Sequence, residues 1–283
     1  MKYLWFGLIP LLFLLYCLLV GPAASKRSIR ERFSGRAFAH RGLHTKDAVA
    51  PENSMAAFLR AKEQGFGVEL DVQLTRDGTV VVFHDPSLLR MTGADRLLSD
   101  CTWDELSALR LSDGTEAIPT FLAVLEALDG AVPLIVELKP VKQYPLLCEK
   151  TLALLNEYAG DFCVESFDPR IVRWFYRHAP HILRGQLTGP YRNWRKKHGV
   201  LPSLAMYSGW FHVLSHPQFL AYGGSPRPLC YWLFRWFGMT VRWTVISEEE
   251  YHSLLPEYDA IIFERFLPSV EPIPMNKHPG RRG

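Results

Sequence analysis

Short apolar runs alternate with helix-like segments along most of this chain of 283 residues. Eight of the runs are rich in β-branched and aliphatic residues, and several lack polar alternation, as strands buried on both faces do. The predicted strands are Ala37–Ala39, Gly67–Val72, Leu134–Leu138, Phe162–Ser166, Leu183–Leu187, Gln218–Tyr222, Thr240–Val245 and Ala260–Phe263. The predicted helices are Ser54–Glu63, Pro145–Tyr158, Pro169–Arg177, Leu229–Phe237 and Glu248–Leu255. This order predicts an α/β fold in which eight parallel strands close into a (β/α)8 TIM barrel.

One segment departs from this alternation. The runs VELDVQLT at 68–75 and TVVVFHD at 79–85 are separated by Arg76, Asp77 and Gly78, which together form a hairpin signal. We expect the second strand to rise beyond the barrel mouth and then return, which brings His84 to the level of Glu69. Residues 86–119 are predicted to form a small insertion near the mouth.

The N-terminal segment Tyr3–Val20 is almost wholly apolar. Its length is near the lower limit for a membrane span, so residues 1–24 are predicted to contain a transmembrane helix. The alternative is a cleaved signal peptide, since Pro22–Ser25 supplies small residues. Basic residues are more frequent after this segment than before it. The positive-inside rule therefore predicts a single-pass protein at the cell membrane with its catalytic domain in the cytoplasm.

Composition and charge add few restrictions. The chain is 48% hydrophobic and 22% charged, with a net charge of +3, which gives no indication of a nucleic-acid partner. Basic residues cluster in a predicted linker at 25–36 and again at 192–197, either as a solvated face or in contact with anionic lipids. The barrel is expected at 37–268 and a proline-rich tail at 269–283. The five cysteines have no spacing typical of zinc sites, and no disulfide framework is expected.

Three acidic residues lie on two of the predicted strands. Glu69 and Asp71 are two residues apart, so their side chains point to the same face, and Glu137 lies near the end of the next barrel strand. Carboxylates at close range repel each other unless a cation lies between them. Three such ligands suit one divalent cation, Mg²⁺ or Ca²⁺ and alternatively Mn²⁺, rather than zinc.

Two histidines and two cations are predicted to face the same mouth. His40 and His84 follow strands and have the side-chain type that serves as general base and general acid near neutral pH. Arg41 and Lys139 can hold the non-bridging oxygens of a phosphodiester. Glu52 either orients a histidine, contacts the metal or begins a helix. Trp243 is interpreted either as a wall of the substrate pocket or as ordinary barrel packing.

The motifs, taken in order, resemble those of the glycerophosphodiester phosphodiesterase family. They are AHRG at 39–42, PENS at 51–54, ELDV at 69–72, TRDG at 75–78, HD at 84–85, VELK at 136–139, ESF at 165–167 and WTV at 243–245. The resemblance extends from about Phe38 to Pro268 and implies a phospholipase C-like TIM barrel with its site at the carboxyl ends of the strands. The resemblance implies that His40 and His84 are the acid–base pair and that Glu69, Asp71 and Glu137 are the metal ligands. It implies that Arg41 and Lys139 bind the phosphate.

The function implied by this resemblance is metal-dependent hydrolysis of glycerophosphodiesters to sn-glycerol 3-phosphate and an alcohol. An alternative is lysophospholipase D-like hydrolysis of intact lysophospholipids at a membrane. The aromatic segment LCYWLFRWFGM at 229–239 is either an ordinary barrel helix or a surface that touches a bilayer, and the second interpretation motivates this alternative. A third hypothesis is a silent binding protein. The expected partners are a glycerophosphodiester or lysophospholipid and membrane lipid; the sequence leaves the oligomeric state open.

Overall fold

The structure is a computed structural model that describes residues 2–46 and 48–269, with side chains from residue 8 onward except that of residue 197. Eight parallel strands form a closed barrel, because the first strand pairs with both the second and the last. In chain order the strands are β1 Arg36–Ala39, β2 Gly67–Leu74, β3 Val80–Val82, β4 Leu134–Leu138, β5 Phe162–Ser166, β6 Arg184–Thr188, β7 Phe219–Tyr222, β8 Met239–Val245 and β9 Ala260–Phe263. Strand β3 is the exception, since it is antiparallel to β2.

Helices cover the outside of this barrel and its ends. They are α1 Lys2–Val20, α2 Arg27–Arg30, α3 Met55–Glu63, α4 Leu89–Thr92, α5 Trp103–Ser107, α6 Phe121–Leu128, α7 Tyr144–Asn156, α8 Pro169–His178, α9 Tyr191–His198, α10 Val200–Tyr207, α11 His212–Ser215, α12 Leu229–Phe237 and α13 Glu248–Leu254. Several begin after residues that cap them. The Ser54 hydroxyl accepts a hydrogen bond from the Ala57 amide, and the Asp168 carboxylate accepts one from the Arg170 amide.

The barrel strands are apolar on both faces because both faces are covered. Inside the barrel, side chains such as Phe38, Ile135 and Phe219 form one buried cluster. A larger cluster fills the layer between the strands and the helices, where Val68 and Val136 meet residues of α3 and α6. The absence of polar alternation in the sequence follows from this double burial.

The predicted hairpin joins β2 to β3. Val72 is opposite Val82 and Leu74 is opposite Val80, and the connecting turn contains Gly78 at a φ of 81°. Glycine is favoured there because a side chain is strained at positive φ. After β3 the chain forms the insertion with α4 and α5, which has a small apolar cluster of its own that includes Leu98.

The predicted transmembrane helix within residues 1–24 is wrong. In the part of the chain that the structure describes, no helix combines the length and the apolar character needed to cross a membrane. The carboxyl end of α1 instead packs on the barrel: the Tyr16 hydroxyl donates to the Ser208 carbonyl at 2.6 Å, and Val20 is fully buried. The predicted single-pass localisation at the cell membrane is wrong for the same reason. The predicted tail lies, from residue 270 onward, outside the described residues.

The aromatic segment at 229–239 forms α12 and the start of β8. One face of α12 is buried through Cys230, Tyr231 and Phe234, whereas Trp232 and Trp236 are exposed. The segment is therefore a barrel helix with one buried face. All five cysteines are free thiols in the structure.

Candidate active site

Three carboxylates meet where β2 and β4 approach the carboxyl end of the barrel. Asp71 of β2 is the register partner of Glu137 of β4, and Glu69 lies two residues earlier on β2. Each side chain offers one oxygen, and these oxygens lie within 4.8 Å of one another. All three residues are buried, with at most 6% of their surface exposed. The structure therefore brings together the three acids that the sequence predicted as one cluster.

Two cations, one side-chain amide and one backbone amide hold this acidic cluster. The Lys139 ammonium lies 2.7 Å from the Asp71 carboxylate and 2.7 Å from the Glu137 carboxylate. The Arg41 guanidinium is 3.3 Å from the other Asp71 oxygen, which also accepts a hydrogen bond of 2.7 Å from the Asn53 amide. Glu69 accepts a hydrogen bond of 2.9 Å from the backbone N–H of Arg41.

The charges of the cluster are unevenly compensated. Burial raises the pKa of Glu69 well above its ordinary value, and the neighbouring Asp71 and Glu137 carboxylates raise it further. Burial also raises the pKa of Glu137 to about 7, although Lys139 opposes the shift. Burial would raise the pKa of Asp71 too, but Lys139, His84 and Arg41 together lower it.

These residues fit a hard divalent cation. The donors are carboxylate oxygens, which are the ligands that Mg²⁺ and Ca²⁺ prefer. Among the described residues, Glu69 accepts its hydrogen bond from the backbone amide of Arg41, and burial disfavours its ionised form unless more positive charge is supplied. Glu69, Asp71 and Glu137 could therefore hold a metal ion.

His40 follows β1 and is fixed by an acid from the last strand. Its Nδ1 lies 2.9 Å from Oε2 of Glu264, which comes directly after β9, and its Nε2 lies 3.9 Å from Glu69. The hydrogen bond from His40 lowers the pKa of Glu264 to about 2, against the opposing effect of burial. An ionised Glu264 accepts the proton of Nδ1, which leaves Nε2 as the basic nitrogen that faces the acidic cluster.

His84 has an equivalent arrangement on the other side of the mouth. Its Nδ1 lies 2.6 Å from the carboxylate of Asp85. The Gln73 amide of β2 donates hydrogen bonds of 2.8 Å to the carbonyls of Phe83 and Asp85, so the hairpin itself fixes this loop. Burial lowers the pKa of His84, and Lys139 adds to the shift. Both histidines thus present one ring nitrogen to a carboxylate.

Glu52 lies outside the acidic cluster, in a network of arginines. Its carboxylate accepts a hydrogen bond of 2.7 Å from Arg41 and one of 2.6 Å from Arg90 of the insertion. Arg90 also binds Asp85, the partner of His84. These hydrogen bonds outweigh burial and lower the pKa of Glu52. Glu52 is thus linked to His84 through Arg90 and Asp85.

A cavity of about 560 Å³ opens beside these groups. His84, Glu137 and Lys139 line one end of it. Trp243 of β8 lines the other end and stands edge-on to Phe167, with their ring centroids 5.5 Å apart. The pocket interpretation of Trp243 agrees with this geometry, and its packing against Phe167 shows that the two interpretations are compatible.

Comparison with known proteins identifies the class of this barrel. The Glycerophosphoryl diester phosphodiesterase family matches residues 40–216, which is more than half of the chain. The chain belongs to this family. The matched region includes both histidines, the acidic cluster and Lys139.

Two relatives illustrate how far the glycerophosphoryl diester phosphodiesterase similarity extends. The chain is 36% identical over 160 residues to a glycerophosphodiester phosphodiesterase of Caldanaerobacter subterraneus subsp. tengcongensis, covering 53% of this chain and 65% of that protein. It is 37% identical over 187 residues to a probable glycerophosphodiester phosphodiesterase 1 of Mycobacterium tuberculosis, covering 56% and 66%. The matches thus span slightly less than two thirds of the length of these relatives.

Solved structures of phosphodiesterases share the fold. An Oleispira antarctica phosphodiesterase in complex with its product sn-glycerol-3-phosphate superposes with a TM-score of 0.67 at 24% identity, covering 81% of this chain and 93% of that one. A glycerophosphodiester phosphodiesterase from Thermotoga maritima gives a TM-score of 0.59 at 25% identity, covering 80% and 93%. The first likeness is evidence for the barrel alone.

Several residues near the acidic cluster and the two histidines of this chain were not selected from the sequence. Glu264 follows the predicted strand at 260–263, so the rule that selected Glu137 would also have selected it. Glu165 stands in the ESF motif; it is 2% exposed and is the register partner of Glu137. Burial raises the pKa of Glu165 well above its ordinary value, and Glu69 and Glu137 add to this. Asp85 stands in the HD motif at 84–85 but was given no role there, and Arg90 had no distinguishing pattern.

Proposed function

We propose that this chain is a metal-dependent phosphodiesterase that hydrolyses glycerophosphodiesters to sn-glycerol 3-phosphate and an alcohol. One observation carries the proposal: a buried cluster of three carboxylates lies between two histidines, each of which is hydrogen-bonded to its own carboxylate. Such a cluster suits a reaction that needs one proton removed and another delivered next to a developing phosphate charge. The names of the relatives and the family support the substrate class.

Each group has a proposed part in the reaction. His40 and His84 form the acid–base pair, because their Nδ1 atoms face Glu264 and Asp85 and leave the Nε2 atoms for proton transfer. The attacking group, a water molecule or a vicinal hydroxyl of the glycerol, gives its proton to one histidine while the leaving alkoxide receives a proton from the other. If the hydroxyl attacks, the product of this step is a cyclic phosphate, which a water molecule then opens to glycerol 3-phosphate. Arg41 and Lys139 hold the non-bridging oxygens, since both cations face the acidic cluster.

A divalent cation, Mg²⁺ or Ca²⁺, is proposed to be held by Glu69, Asp71 and Glu137. When bound, it would withdraw charge from a non-bridging oxygen and lower the barrier to attack at phosphorus. Lys139 contacts two of the three acids and therefore orients them in the same site. Glu52 and Trp243 are proposed to support the site, Glu52 by fixing Arg41 and Trp243 as a wall of the substrate cavity.

The test is turnover by the purified full-length protein. Release of sn-glycerol 3-phosphate from glycerophosphoethanolamine is followed with a glycerol-3-phosphate dehydrogenase assay in the presence of Mg²⁺, Ca²⁺ or Mn²⁺. We expect turnover with at least one cation and its loss in EDTA. His40→Ala should lower kcat by about 100-fold or more. The control is His252→Ala, an exposed histidine paired with Glu248 on α13. The proposal fails if a panel of glycerophosphodiesters gives no turnover with any of the three cations.

A further inference from the structure

The far end of the cavity differs in character from its catalytic end. We call it the aromatic slot, and its walls are Phe167, Gly189, Trp194 and Trp243. Phe167 follows β5, Gly189 follows β6, and Trp194 reaches the cavity from α9. The slot is continuous with the catalytic end, because the same cavity is lined there by residues of the acidic cluster.

The backbone of Gly189 leaves room for one added carbon beside the rings of Trp194 and Trp243. The ring centroids of Phe167 and Trp194 are 5.7 Å apart, and those of Phe167 and Trp243 are 5.5 Å apart. A Cβ atom placed on Gly189 would lie 3.5 Å from the Trp194 indole nitrogen and 3.9 Å from the ring of Trp243. One methyl group therefore fits between the two indoles in ordinary contact, whereas a branched side chain would fill the gap.

The charges near the slot disfavour a cationic occupant. Among the described residues that line the cavity, the acid beside the slot is Asp168, and Arg170 already pairs with it at 2.6 Å. Glu137 also lines the cavity, and it pairs with Lys139 at 2.7 Å. A quaternary ammonium group gains energy over an aromatic face, but both of these lining acids already have a cation as partner, so neither is left as its counter-ion. An uncharged apolar group needs no counter-ion.

The size of the cavity exceeds what a glycerophosphate group needs. A volume of about 560 Å³ is in the range of sites that enclose ligands of drug size. A phosphodiester held at Lys139 therefore leaves the aromatic end for a further part of the same molecule. Burial of aliphatic carbon against three aromatic rings is favourable, and the gain increases with each methylene group removed from water.

We propose that the aromatic slot binds an aliphatic chain carried by the phosphodiester substrate, so that diesters with such a chain are preferred over diesters with small polar substituents. This inference rests on the proposed function for the identity of the reacting group. The chain can be joined to the phosphate as the alcohol that is released, or to the glycerol as an acyl group. The two sources share the chemistry that the slot recognises, and the substrates below distinguish them.

The first measurement compares kcat/KM for three monomeric diesters. Glycerophosphoethanolamine has no chain, glycerophosphohexanol has a chain on the released alcohol, and a hexanoyl lysophosphatidylethanolamine has one on the glycerol. Burial of two or three methylene groups should raise kcat/KM for one chain-bearing substrate by roughly 30-fold over glycerophosphoethanolamine. The substrate that gains identifies the side on which the chain is carried. Equal values for all three would overturn the proposal.

A matched pair of variants tests the slot itself. Gly189→Leu should fill the gap between the indoles and reduce the ratio between the preferred chain-bearing diester and glycerophosphoethanolamine to about one. Gly189→Ala adds a methyl group that the gap accommodates, so the ratio should stay within about threefold of the wild-type value. Trp194→Ala removes one wall and should lower the ratio by roughly tenfold. An undiminished ratio in Gly189→Leu would contradict the assignment.

A binding measurement separates this inference from the proposed function. Hexylphosphonate and methylphosphonate share an anionic group and differ only in the chain, and their dissociation constants can be measured by calorimetry without turnover. We expect hexylphosphonate to bind roughly 30-fold more tightly, with the difference lost in Gly189→Leu. If no diester is hydrolysed but this difference is found, the proposed function fails and the slot stands. If diesters are hydrolysed and the difference is absent, the slot assignment fails alone.

Discussion

Addition of a divalent cation should stabilise the folded protein markedly, because the acidic cluster is buried with too little positive charge of its own. Glu69, Asp71 and Glu137 have ligand oxygens within 4.8 Å of one another, and Lys139 and Arg41 are the cations that contact Asp71. A ligand that binds only the folded state at 100 times its dissociation constant adds about 2.7 kcal/mol to the free energy of unfolding. For a domain of this size that corresponds to a rise in Tm of about 5–10 °C.

The stabilisation should also depend on pH, and its sign follows from Glu137. Burial raises the pKa of Glu137 to about 7, so without a cation its stabilising contribution is complete below the ordinary value of 4.5 and is lost as the pH rises toward 7. This loss amounts to about 3 kcal/mol at most. A bound cation requires the ionised form and opposes the loss. The difference in Tm between cation and EDTA should therefore increase from about pH 5 to pH 7.

Differential scanning fluorimetry with Mg²⁺, Ca²⁺ or EDTA measures this difference directly. Glu69→Gln should abolish the shift, because it removes one of the three ligands. Glu165→Gln is the matched control: Glu165 is also a buried acid at a strand end, but it is not part of the cluster of three. A shift that survives in Glu69→Gln, or one that decreases as the pH rises, would refute the reasoning.

Three further predictions concern stability. The hydrogen bond from His40 lowers the pKa of Glu264 to about 2, so the stabilising contribution of Glu264 is present above its ordinary pKa of 4.5 and is lost as the pH falls toward 2. The Glu264→Gln variant should therefore have a free energy of unfolding about 2–3 kcal/mol lower at neutral pH, with a smaller difference at low pH, as measured by urea titration. Gly42→Ala should lower the free energy of unfolding more than Gly35→Ala. Both glycines have positive φ, but a Cβ on Gly42 would lie 2.8 Å from the backbone of Ala57, whereas one on Gly35 would contact nothing within 4 Å. Equal midpoints of urea unfolding for the two variants would contradict this reasoning. Thr102→Ala removes one half of a capping box and should cost about 1 kcal/mol, seen as a lower Tm.

Much of the barrel could be predicted because its strands carry a local signal. Strands covered on both faces are continuous apolar runs, and all eight barrel strands lie within two residues of their predicted bounds. The hairpin was equally clear, because Asp77 and Gly78 separate two strand-like runs. The three acids could be selected as a group, since parallel strands place their carboxyl ends at one side of a barrel.

The parts that the sequence did not reveal lack such local contrast. Helix α6 is almost entirely apolar, as a buried strand is, and α9 is almost entirely polar, as a loop is, so composition did not mark either segment as a helix. The N-terminal prediction was wrong because an apolar run alone does not distinguish a membrane span from a helix whose end packs on the barrel, as α1 does at Val20. The pairing of His40 with Glu264 joins the first and last strands, and such a contact depends on closure of the barrel.

Arg90 ties the insertion to both sides of the active-site mouth. Arg90 belongs to the insertion, yet it binds Asp85, which holds His84, and Glu52, which holds Arg41. The insertion therefore cannot be exchanged between homologues as an independent module, since a graft without an arginine at this position would release both sides of the mouth together. The exposed positions of the insertion are expected to vary freely, whereas Arg90 and the buried residues of its apolar cluster are expected to change only together with their partners.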